Sequence, residues 1–342
     1  MKKLIYILAA MVLLYTAYTV FVKTTHFTEE KKFFTYTKDT MSLDDLADSL
    51  YARKIIREKM SFRLLAYLGG IETKTKSGKF IVKKNTSLFN LIRMLRNNNQ
   101  ATVKFILNKV RTRGELAKLV ASTFDTDSSI TAQFINSNDS LKAFQIDTTQ
   151  LLTLFIPNTY EFYWSTSLPK FMEKMSAAAT NFWNTNDRKQ KASSKGMSMN
   201  EVYTLASIVE EETNYDSDKS LIASVYQNRL RKSMPLQACP TIKYAMQDFS
   251  LTRIYEKYLT NPSPYNTYNR KGLPPGPICT PAPKTIDLVL EAPATDYIYF
   301  VAKADFSGYH HFSTTYEEHN RYAKEYQKQL DIYQKKKAAQ QK

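Results

Sequence analysis

Between residues 200 and 215 the chain reads NEVYTLASIVEEETNY, and its apolar positions recur with a helical period. At about 100° per residue, Val202, Leu205, Ala206, Ile208 and Val209 gather on one side, which predicts a helix packed on a core. The stripe ends in three consecutive carboxylates. Glu212 falls near the middle of the stripe, whereas Glu210 and Glu211 are rotated from it by more than roughly 100°. A carboxyl on an apolar face loses solvation, which disfavours its ionised form and raises its pKa toward the range of a general acid. The same position also fits a glutamate paired with an arginine, or one marking where the helix emerges into water.

Other patterns place the remaining elements. Residues 4–22, LIYILAAMVLLYTAYTVFV, form an uncharged run of nineteen residues after Lys2 and Lys3. That length predicts a transmembrane helix, and no small-residue cleavage site follows it. Lys2 and Lys3 argue for a cytoplasmic N-terminus, although Lys23, Lys31 and Lys32 stand on the far side. Residues 33–37, FFTYT, alternate as a strand; Ser42 with Asp44 and Asp45 predicts a capped helix, and a second helix stops at Gly69 and Gly70. A short strand at 78–82 and a helix capped by the segment at 85–87 follow, giving a strand-helix-helix-strand-helix order.

Further on, residues 102–107 read as a strand and 115–124 as a helix, and 125–149 as short helices joined by loops. Residues 157–160, PNTY, predict a turn among Phe155, Phe162, Tyr163 and Trp164, with 171–184 an amphipathic helix and 187–195 a basic loop. A helix over 218–231 carries Leu221, Ile222, Val225, Tyr226 and Leu230 on one side. YIYFV at 297–301 reads as a central strand, and 316–333 as a terminal helix before a solvated basic tail.

The chain has 342 residues, 43% of them apolar and 13% aromatic, enough for about two domains with sizeable cores and incompatible with disorder. The net charge of +16 suits an anionic polymer or membrane surface. Nucleic acid is the usual suspicion for such a charge, but the sequence contains no nucleic-acid-binding motif. His310, His311 and His319 lie close in sequence, but no converging carboxylate or thiolate cluster accompanies them, and Cys239 and Cys279 form no CxxC pair. Neither a metal nor another cofactor is expected.

After the first helix come YQNRL (226–230), LQACPTIKY (236–244), SPYNTYNRKGLPPGPICTP (263–281) and GYHHFSTTYEEHN (308–320). In this order after LASIVEEET, these segments resemble the endolytic murein lytic transglycosylases, the MltG-like or YceG-like family, over nearly the whole chain. The resemblance implies an α+β protein: a cytoplasmic N-terminus at 1–3, a transmembrane helix at 4–22, a small LysM-like module at 33–107, a connecting part of the catalytic region at 108–198, a mixed α+β catalytic core at 199–333, and a tail at 334–342. It implies a single pass through the inner (cytoplasmic) membrane with the bulk outside the cytoplasm. It places the PNTY turn beside the cleft.

In that family the catalytic acid is the glutamate before the threonine of the helix motif, which here is Glu212. By the same resemblance Asn228, Gln237, Thr241, Tyr244, Tyr265, Asn266, Thr267 and Tyr268 are expected to hold sugar. Cys239 stands where the family commonly has an aspartate, and Cys279 replaces a small residue; a disulfide between these cleft loops is one expectation, two free thiols the other.

One inward acid and no clear second carboxylate depart from the two-carboxylate pattern of ordinary glycosidases. The resemblance implies that Glu212 protonates the oxygen between N-acetylmuramic acid and N-acetylglucosamine in nascent strands. It then takes the proton of the muramic 6-hydroxyl, leaving a 1,6-anhydro end. Glu210 is the reserve acid. A hydrolytic muramidase would need Glu210, Asp216 or Asp218 as base, and a non-catalytic scaffold would bind glycan and recruit peptidoglycan synthases.

Overall fold

The computed structural model describes residues 25–340 apart from 26, 38, 39 and 252, together with isolated positions before 25. The apolar run at 4–22 lies largely outside the described residues. Among the described residues no helix is long and apolar enough to cross a membrane.

The chain divides into two compact units. The first holds most residues up to 105, with 122–125 and 160–167. Its order is the predicted one: β1 (Lys31–Tyr36), α1 (Leu43–Ala52), α2 (Lys59–Leu68), a single turn, β2 (Gly78–Lys83) and α3 (Leu88–Arg96). Local chemistry fixes the helix starts. Ser42 and Asp45 form a reciprocal capping box, and Ser87 caps α3 by accepting from the Asn90 amide. β1 and β2 pair antiparallel with Phe34 opposite Phe80, and those rings stack at 5.4 Å over buried Leu46, Leu50, Phe62 and Leu95.

β3 (Thr102–Leu107) pairs with β4 (Asn158–Tyr163), where a turn was expected at 157–160. The aromatic run is extended because alternation lets Phe162 point inward. Phe162 packs edge-on against Phe124 at 5.2 Å and Phe105 at 6.2 Å, so this ring belongs to a core and is not offered to a sugar.

The second unit is built on helices α4 (Arg113–Thr123), α5 (Ser128–Ile135), α6 (Leu168–Asn184), α7 (Arg188–Ser194), α8 (Met199–Glu212), α9 (Asp216–Arg231), α10 (Cys239–Met246), α11 (Pro283–Leu290) and α12 (Tyr316–Gln340). β5 (Tyr299–Ala302) and β6 (His310–Ser313) form a third two-stranded sheet. At the centre lies α8, capped by Ser198 in a box with Glu201. The helical period predicts one buried stripe, but every side chain from Val202 to Val209 is buried. α9, α10 and α11 cover the other faces. The polar members satisfy themselves locally or across the core: Tyr203 donates to the Phe155 carbonyl at 2.7 Å, and Ser207 accepts from the Ile278 amide at 3.0 Å.

Three expectations change here. The basic loop at 187–195 is α7, because Arg188 is buried, grips Asp287 through two nitrogens at 2.6 and 2.9 Å, and lies 3.9 Å over the Phe182 ring. YIYFV does not make a central strand. Among the described residues β5 pairs only with β6, with Phe300 opposite Phe312, and its residues are half-buried because a two-stranded ribbon leaves one edge open. The basic tail continues α12 as far as Gln340.

Candidate active site

α8 ends at Glu212 because Thr213 adopts an extended backbone, and the chain re-enters a helix at Asp216. This short corner lets α9 fold back on α8 and present Tyr226 to it. The Tyr226 ring is buried, edge-on to Phe300 at 5.7 Å, and its hydroxyl donates a 2.5 Å hydrogen bond to Glu212 Oε1. Glu212 itself is half-buried. Loss of solvation pushes its carboxyl up to about 7; the Tyr226 hydrogen bond and the Lys243 ammonium oppose the rise, and the Glu211 charge adds to it.

Glu210 and Glu211 are also largely withdrawn from water, contrary to the helical wheel, because flanking segments cover their side of α8. What separates them from Glu212 is counter-charge. Glu210 binds Lys219 at 2.8 Å and accepts from Thr285. Glu211 binds Arg111 at 3.0 Å and Lys109 at 3.1 Å; burial alone would raise its pKa, but these cations outweigh it and hold it below the usual range. Among the described residues no cation lies within ion-pair distance of Glu212. The carboxylates that a water-using mechanism would recruit are engaged elsewhere. Asp216 pairs with Lys284, and Asp218 accepts from the His310 ring at 2.9 Å and backbone at 2.8 Å.

The structure divides the other expected residues. Gln237 is exposed, and Tyr244, Tyr265 and Tyr268 are half-buried. Tyr244 and Tyr265 pack at 4.6 Å and, with Arg113, line a cavity of about 270 Å³. The Tyr268 hydroxyl lies 3.2 Å from Cys239 Sγ, and the Glu212 charge contributes to raising both groups after burial itself.

Asn228, Thr241, Asn266 and Thr267 are instead buried and committed to the protein. Asn228 donates to the Thr295 and Tyr297 carbonyls at 2.7 and 2.8 Å, fixing the approach to β5. Asn266 clamps the Leu259 and Asn261 carbonyls at 2.9 and 2.8 Å, and the Thr241 and Thr267 hydroxyls meet at 2.9 Å beneath the Ala238 backbone. They shape the loops that carry Gln237 and Tyr268, with no polar group turned toward a ligand. The 272–277 turn is braced at Gly276, where a Cβ would sit 2.0 Å from the Thr149 carbonyl oxygen, so only glycine fits.

Sequence reasoning missed Tyr226 as a polar partner, because its place in the apolar stripe of α9 reads as core. It also missed Lys109, Arg111 and Lys243, isolated cations with no local pattern. Both cysteines are free: Cys239 is exposed beside Tyr268, while Cys279 is buried with its thiol 3.4 Å from the Ser207 carbonyl. The disulfide expectation therefore gives way to two thiols facing different surroundings. His311 stacks on Tyr322 at 4.1 Å and His319 on Tyr299 at 5.1 Å, and no metal-binding group of three side chains occurs among the described residues.

A sequence profile described as the YceG-like family matches residues 36–325. A Bacillus subtilis (strain 168) protein named endolytic murein transglycosylase is 37% identical over 171 residues, 50% of this chain and 46% of that protein. One of the same name from Streptococcus pneumoniae (strain D39) is 34% identical over 169 residues, 48% of this chain and 30% of that protein. The matched stretch thus spans half or less of these relatives. A crystal structure of a yceG-like protein from Listeria monocytogenes superposes with a TM-score of 0.55 at 25% identity, covering 86% of this chain and 99% of that one.

Proposed function

The chain belongs to the YceG-like family, and from that premise we propose that it is a peptidoglycan lytic transglycosylase with Glu212 as its one acid and base. The observation that carries this reading is the environment of that carboxyl: desolvated, with no cation at ion-pair distance among the described residues, and hydrogen-bonded through one oxygen to Tyr226. With Oε1 held by the phenol, Oε2 is left to carry the proton. A pKa of about 7 makes the protonated and ionised forms nearly equal in energy at neutral pH, which suits a group that must give a proton and then take one.

In the first step Glu212 gives its proton to the oxygen joining N-acetylmuramic acid to N-acetylglucosamine, and the bond to the anomeric carbon breaks. The muramic 6-hydroxyl oxygen then bonds to that carbon while its proton passes to the Glu212 carboxylate. The products are a free N-acetylglucosamine hydroxyl and a 1,6-anhydro end, with the acid restored and no water consumed. The engagement of Asp216, Asp218 and Glu210 by basic side chains supports this route over hydrolysis, which needs a second free carboxylate. Gln237, Tyr244, Tyr265 and Tyr268 supply amide, hydroxyl and ring surfaces for the sugars. The reading extends to a chain anchored in the inner membrane through 4–22, with a LysM-like glycan-binding module at 33–107, acting inside nascent strands on the outer side near the synthases.

The test is digestion of purified glycan strands with the wild type and Glu212→Gln, followed by mass spectrometry of the ends. Anhydro ends from the wild type alone are expected. Ends heavier by one water would replace this reading with hydrolysis, and equal activity of the two proteins would remove Glu212 from the chemistry.

A further inference from the structure

α2 carries two apolar faces where a helix of a water-soluble domain needs one. Phe62 and Ala66 form its buried side. On the opposite side Met60, Leu64, Tyr67 and Leu68 are 69%, 62%, 75% and 70% exposed, at positions i, i+4, i+7 and i+8 of a single stripe. Lys59 and Arg63 flank the stripe and are paired with Asp48 and Asp44, so they do not cover it. Beside it runs a groove of about 410 Å³ between α2 and α3, lined by Leu65, Leu68, Phe89 and Ile92 and edged by Arg93 and Arg96. Both arginines are exposed, with no carboxylate within ion-pair distance among the described residues.

An apolar stripe bordered by uncompensated guanidinium groups is complementary to one kind of surface, acyl chains beneath anionic headgroups. The segment agrees in its overall charge: residues 25–105 contain sixteen Lys and Arg against eight Asp and Glu. We propose that the stripe of α2, with Phe89, Arg93 and Arg96, is a membrane-interface patch that seats the first unit on an anionic phospholipid bilayer.

This inference rests on the anchored reading above. If 4–22 crosses the bilayer, residues 23–30 are the whole tether to β1, and eight residues reach at most about 28 Å. The patch is then held at the membrane at high effective concentration, so that weak interfacial contacts suffice.

The experiment uses the full chain in phospholipid vesicles containing brominated lipid, with Tyr67→Trp as reporter and the wild-type spectrum subtracted. Expected are a blue-shifted emission and quenching in vesicles rich in anionic lipid, both weaker in zwitterionic ones. The shift and the quenching should vanish when Leu64→Asp and Leu68→Asp are added, with circular dichroism unchanged. No quenching in either lipid overturns the proposal, as does quenching that survives the two aspartates. A concentration-dependent blue shift without quenching overturns it in favour of a second copy of the chain. Vesicle flotation reads the anchor separately: a chain that does not float loses the anchored reading, whereas one that floats without quenching loses only the patch.

Discussion

The Tyr226 hydroxyl reaches Glu212 Oε1 at 2.5 Å from a helix that begins only four residues later in the chain. It is the donor that makes a desolvated carboxyl tolerable, because a hydrogen bond to the ionised form offsets part of the burial penalty.

Glu212→Gln should lower the rate of anhydro-end formation by about two to four orders of magnitude, the usual contribution of a positioned acid and base. Folding should be unharmed, since the amide oxygen can still accept from Tyr226 while the charge that burial disfavours is gone. Single-turnover rates and thermal melts of both proteins check this pair of outcomes.

The protonated carboxyl begins the reaction, so activity should fall as pH rises through about 7. Stability follows the same sign. The folded pKa lies above the ordinary carboxyl value, so the native state binds the extra proton, and the stabilising contribution is complete below about 4.5 and lost as pH rises through about 7. The melting temperature of the wild type relative to Glu212→Gln should therefore decline between pH 5 and 8. A flat difference would remove the upward shift.

Tyr226→Phe deletes a group that lowers the Glu212 pKa, so the descending limb of the pH–rate profile should move to higher pH while the maximal rate falls. The buried, donorless carboxylate should cost about 1–3 kcal/mol above the limb, read as a shift in urea midpoint at pH 8. A change in rate without movement of the limb would mean that Tyr226 acts through packing alone.

Cys239, which is exposed, should react with maleimide in the folded protein, and buried Cys279 should not. Denaturation without reductant should expose two labelled thiols by mass spectrometry. Recovery of a single unlabelled species would restore the disulfide.

Arg188→Ala leaves Asp287 without its guanidinium partner and strips the Phe182 face, for a loss of about 3 kcal/mol in urea unfolding. Anhydro-end formation at temperatures well below the melt should persist, because the pair lies in the support of α7 and α11 and touches no reachable polar group of the site.

Much of this protein was legible in its residues alone. The strand-helix-helix-strand-helix order and the Ser42 and Ser87 caps follow from short-range rules: period and capping chemistry. Those rules act over a few residues, and a sequence displays them directly. What made Glu212 different from its neighbours was decided at long range. Arg111 reaches Glu211 across 100 positions, while Glu210 is paired with Lys219 of the next helix and accepts from Thr285 across 75, so two of three withdrawn carboxylates are held by partners that no periodicity announces. The same distance effect turned Asn228, Thr241, Asn266 and Thr267 from expected sugar ligands into internal clasps. Whether a polar side chain faces a ligand or a backbone carbonyl depends on what the fold brings opposite it. Local pattern sets where a side chain stands on its own element; only packing sets what stands across from it.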